Sequence, residues 1–93
     1  MEKVKMSDEK LRRSLDELRS ELKRLETEEQ QVRERLNTLI AGVESQLDEP
    51  RDDSRQNSLL EELRQSISEF EVSHPRATAI LNDIMVTLGN MGI

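Results

Sequence analysis

Leu11, Leu15, Leu18, Leu22 and Leu25 recur along the first part of the chain at steps of four, three, four and three. That spacing is the seam of a coiled-coil or bundle helix, because it keeps one apolar edge facing a partner over successive turns. The same frame runs on through Val32, Leu36, Leu39 and Val43, and is broken only by Glu29, where another apolar residue is due. Ser7, followed by Asp8 and Glu9, reads as the helix start. A serine hydroxyl there accepts from an unpaired backbone N–H, and acids favour the positive end of the helix dipole.

The interruption at Glu29 has two readings. Residues 26–31 carry no apolar side chain, and Thr27 with Gln30 has the pattern of a capping box. A corner there folds residues 8–47 into an antiparallel hairpin. Against it, the segment holds no Gly, Pro, Asn or Asp, and the seven-residue phase survives from Leu25 to Val32. Nearly every residue in it is a strong helix former. The balance favours one uninterrupted helix of about forty residues, roughly 60 Å long.

Gly42 weakens this helix, and Asp48-Glu49-Pro50 ends it, since proline lacks a donor and restricts its neighbour. Residues 50–57 are polar throughout and read as an acidic linker. Ser58, with Glu61 three residues on, then has the capping-box pattern of a new helix whose apolar positions are Leu59, Leu60, Leu63, Ile67 and Phe70. Residues 72–75 form a corner, with Ser73 or His74 as cap and Pro75 suited to a first helical turn. The last helix places Ala77, Ile80, Leu81, Ile84, Leu88 and Met91 on one broad face and ends near Gly89 or Gly92. The expected architecture is all-α. A leucine-seam, coiled-coil-like segment over 1–49 (long helix or hairpin) precedes the 50–57 linker and an antiparallel helix pair over 58–93.

The tail is unusually apolar. From residue 77 onward the only charge is Asp83, and Met85 and Val86 lie away from the main stripe. A helix apolar around more than half its circumference is buried on several sides. The short helix before it cannot surround it, so either the leucine seam folds back over it or a second copy does. This points to a homodimer or higher homo-oligomer, or to an unidentified protein partner. The residues expected in that core or interface are Leu11, Leu15, Leu18, Leu22, Leu25, Leu36, Leu39, Leu63, Ile67, Phe70, Ile80, Leu81, Ile84, Leu88 and Met91.

Charge narrows the classes of partner. The 93 residues are 37% charged and 33% hydrophobic, with a net charge of −6. A polyanion is repelled by such a chain, and with Phe70 as the one aromatic there is no platform for stacked bases. Nucleic-acid binding is not expected. The absence of cysteine removes disulfide, zinc-finger, iron–sulfur and thiol chemistry. No run approaches the ~18 apolar residues of a membrane span, and no signal peptide opens the chain. A cytoplasmic setting is expected.

Candidate chemistry is sparse. His74 is the only histidine, and its expected role is to cap or brace the corner, since Glu69 and Glu71 beside it are exposed-face residues. Ser7, Ser58 and Ser73 each fit capping, and none sits in a nucleophile elbow. Residues 89–92 lack the lysine and following helix of a phosphate loop. Glu17 and Glu21 near Arg13 and Arg24 make a solvated face with weak ion pairs. Asp48, Glu49, Asp52 and Asp53 do not follow the spacing of a calcium loop. No catalytic, cofactor-binding or metal residue is assigned, and an enzyme is not expected. The residues point to a small, self-associating helical interaction module. The alternative is a small-ligand-binding or stress-related regulator with an apolar pocket between helices, for which His74 and Asn82 are the only polar specificity groups.

Phe70-Glu71, Ser73-His74-Pro75 and the closing Asn90-Met91-Gly92-Ile93 carry a resemblance. Residues 58–93 resemble the C-terminal half of a small bacterial family, domain of unknown function 4404. The first half is similar in helical character alone, and Gly89 stands where that family's helix leads one to expect alanine. The resemblance implies a short bacterial cytosolic protein and brings no activity, cofactor or site with it.

Overall fold

Both halves of the leucine seam turn inward, onto the rest of the same chain. The computed structural model describes residues 6–25, 29–48 and 53–91. Four helices lie among them: α1 (Met6–Arg24), α2 (Gln30–Asp48), α3 (Asp53–Phe70) and α4 (Pro75–Met91). Each packs on the next in chain order, and α1 closes the ring against α4, with no α1–α3 or α2–α4 packing among the described residues. Neighbours run antiparallel, as the contacts between them require. Arg55 at the start of α3 donates to Ser45 late in α2. Gln56 reaches Leu88 near the end of α4, and Arg76 at the start of α4 lies by Glu21 late in α1. Short connections between packed helices give this up-and-down arrangement.

Several boundaries differ from those the sequence suggests. The favoured continuous helix does not form: α1 ends at Arg24 and α2 begins at Gln30. Helix propensities differ by only a few tenths of a kcal/mol among the residues at the break. Burying one leucine is worth ~1.5–3 kcal/mol, so folding the two half-seams together outweighs the local preference for continuing. Thr27, the expected cap of α2, lies outside the described residues. The 50–57 linker is also shorter than expected, since α3 starts at Asp53 and Ser58 is an exposed residue inside it rather than its cap. Ser7 likewise falls within α1, which includes Met6, and α4 passes through Gly89 as far as Met91.

All four helices contribute to one core. Leu11, Leu15 and Leu18 of α1, Leu36, Leu39, Ile40 and Val43 of α2, Leu59 and Leu63 of α3, and Ala77, Ile80, Leu81, Ile84 and Leu88 of α4 are buried together. Leu22, Leu25, Ile67 and Met85 pack against them while half-buried. The radius of gyration, 13.1 Å, is close to the ~12 Å of a compact domain this long. The apolar stripe of α4 is thus covered by α1 and α3 of its own chain, and burial of that stripe does not require a second copy. Met91's side chain lies outside the described residues.

Two polar residues occupy seam positions of α3. Gln56, Leu59, Leu63 and Ser66 are buried in succession at steps of three, four and three. Gln56 Nε2 donates to the Leu88 carbonyl at 2.9 Å, satisfying an acceptor that the end of a helix leaves unpaired. Ser66 Oγ has no hydrogen-bond partner among the described residues. Between α2 and α3, Gly42 permits close approach, for a Cβ there would stand 2.9 Å from Leu59 Cδ1. Gly89 has no such reason: a Cβ there meets nothing within 4 Å.

Gly89→Ala should therefore raise stability by ~0.5–1 kcal/mol through lower chain entropy in the unfolded state, read as a higher urea midpoint with unchanged slope. Gln56→Ala should cost ~1–3 kcal/mol in the same titration, because the Leu88 carbonyl is left buried and unpaired.

Candidate functional site

The α1–α2 and α3–α4 corners share one end of the bundle, because the helices alternate in direction. Glu29 enters this end from just before α2, and His74 from just before α4. His74 Nε2 donates to Glu29 Oε2 at 2.6 Å, with both side chains half-buried. The carboxylate has only lone pairs to offer, so Nε2 carries a proton toward it, and in the neutral ring Nδ1 is then the acceptor. Ser73 Oγ lies 2.9 Å from that Nδ1, and its O–H donates to the neutral ring. Phe70 meets the imidazole edge-on, ring centroids 6.1 Å apart at 89°, a favoured aromatic geometry.

The backbone fixes where these groups stand. His74 N–H donates to the Phe70 carbonyl at 2.7 Å, closing α3, while the His74 carbonyl accepts from Thr78 N–H at 3.1 Å, opening α4. Pro75 occupies the first helical position, where its missing N–H costs nothing. His74 therefore braces the corner by its ring and begins α4 by its main chain. Arg33 secures the facing corner: its guanidinium donates to the Leu25 carbonyl at 2.8 Å and the Leu22 carbonyl at 3.5 Å. A cation on the last carbonyls of α1 satisfies them and complements the negative end of that helix.

Surface clefts among the described residues lie along α1. One of about 330 Å³ lies between α1 and α4, bordered by Glu17, Ser20, Glu21, Arg76, Ala79 and Asp83 over Ile80. The other, about 380 Å³, lies between α1 and α2, where Arg12, Asp16, Arg19 and Glu44 surround Leu15 and Leu47. Arg19 bridges to Glu44 across it. Among the described residues, no group of three or more acids and histidines is placed to hold a metal ion. No described helix is long and apolar enough to cross a membrane.

Of the residues singled out from sequence, Phe70, Ser73, His74 and Pro75 meet at this end, whereas Ser58 lies elsewhere on α3. Glu69 and Glu71 are exposed, and the carboxylate that reaches His74 comes from 45 positions away. Its only sequence signal is the gap it leaves in the leucine seam. Arg33 and Gln56 gave none. His74→Ala should cost ~1.5–3 kcal/mol, the worth of a hydrogen bond to a charged group, with helicity by circular dichroism retained.

Neither the curated proteins nor the solved structures include a match to this chain. The family model described as Domain of unknown function (DUF4404) matches residues 11–93, from the first buried leucine of α1 through the His74 corner to the last residue. The chain is a member of that family.

Proposed function

We propose that this chain is a small helical module that acts in the cytoplasm through protein–protein contact, self-association included. The outer face of α4 carries the reading. Ala79, Asn82, Val86 and Asn90 are exposed there, Val86 at 51%. Asp83 is the one charge on the helix after Arg76, in a chain that is 37% charged. Interface centres are depleted of charge in this way, because desolvating an unpaired charge is costly. The support comes from this outward face, since the inward stripe is already covered.

Size-exclusion chromatography with light scattering tests it. The full chain should run at twice its monomer mass or more, and Val86→Glu should return it to the monomer with its helicity unchanged. A wild-type chain that stays monomeric at all concentrations overturns self-association. The cleft between α1 and α2, with Leu15 and Leu47 inside charged walls, favours the small-ligand reading. A small molecule retained in native mass spectrometry and lost in Leu47→Arg would support that alternative.

A further inference from the structure

Ser73 is exposed, and its hydroxyl stands 2.9 Å from His74 Nδ1, whose opposite nitrogen is held by Glu29 at 2.6 Å. We propose that Ser73, His74 and Glu29 act as nucleophile, base and positioning carboxylate, competent for acyl transfer from a small ester. The ordering is the general one for an activated hydroxyl: nucleophile on base, base on a third group that orients it. The reading is independent of self-association.

Three features of the corner support it. Phe70 flanks the imidazole edge-on, so the ring is held between a carboxylate and an aromatic rather than free to swing. The N–H groups of Arg76 and Ala77 open α4, three and four positions beyond Ser73. Such first-turn donors have no carbonyl inside their helix to bind, and they lie at its positive end, where negative charge is stabilised. Finally, Val72 is 90% exposed directly beside the nucleophile, giving a short acyl chain an apolar contact. Because Ser73 stands in the open, the substrate class is a loosely held ester of a short acid.

In the first step the Ser73 Oγ–H proton passes to His74 Nδ1 while Oγ bonds to the ester carbonyl carbon. Glu29 stabilises the imidazolium that results. The tetrahedral adduct then collapses, the bond from carbon to the leaving oxygen breaks, and that oxygen takes the proton from Nδ1. Water repeats the sequence on the acyl-serine, giving acid and free serine. The net change is ester plus water to acid plus alcohol. In a corner brace the Ser73–Nδ1 contact is structural and leaves Ser73 unacylated, so acyl transfer to Ser73 separates the two roles.

The test is release of p-nitrophenol from p-nitrophenyl acetate by the full chain, with peptide mass analysis for acetyl groups. The expected result is release about tenfold or more above Ser73→Ala, with any acetyl found on Ser73. Ser73 is exposed, so Ser73→Ala keeps the fold and decides the matter alone. Glu29→Gln should lower kcat about tenfold or more at unchanged KM, whereas a bracing role alone would shift only its melting. Release by Ser73→Ala at the wild-type rate, or acetyl confined to lysine or to His74, overturns the proposal.

Discussion

Closure of α1 against α4 is the constraint on which the rest of this molecule depends. α4 is the least charged helix, and its stripe of Ile80, Leu81, Ile84 and Leu88 needs cover from more than one side. α3 supplies one wall as the adjoining half of a hairpin. The other wall is the leucine seam of α1, from the far end of the chain, and it can arrive only if the chain turns between α1 and α2. The sequence between α1 and α2 holds no Gly, Pro, Asn or Asp to favour that change of direction. It exists because the hydrophobic gain of closing the ring exceeds the small local preference for a straight helix.

The same hierarchy explains what could be read in advance. Leu11, Leu15, Leu18, Leu36, Leu39 and Leu63 announce themselves by spacing, and each is buried. The all-α class and the corner at Pro75 follow equally from local signals. The break between α1 and α2 does not, since its cause is the apolar face of a helix fifty positions away. The start of α3 was hidden for a related reason. Gln56 occupies a core position that pattern reading reserves for apolar side chains, so the turn it belongs to resembled a linker.

The site shows the limit more sharply. His74 and Ser73 are adjacent and visible as a pair, but their meaning changes once Glu29 joins them. A carboxylate interrupting a leucine seam reads as a defect when only one helix is considered. In the folded chain it is the partner of the single histidine. Arg33 is similar: on the page it is one of many surface cations, and in space it caps the end of α1.

Polar ties stand at both ends of the bundle, Glu29–His74 at one and Gln56–Leu88 at the other. Leucine seams repeat every seven residues, so two such helices can slide by a heptad, about 10 Å, and still interdigitate. Hydrogen-bonded pairs do not repeat in that way. A slipped arrangement would keep much of its oily packing yet strand a buried amide at one extremity and an imidazole at the other. The degeneracy inherent in a leucine-built interior is thereby removed by two contacts that add little area, and the chain is left with a single alignment.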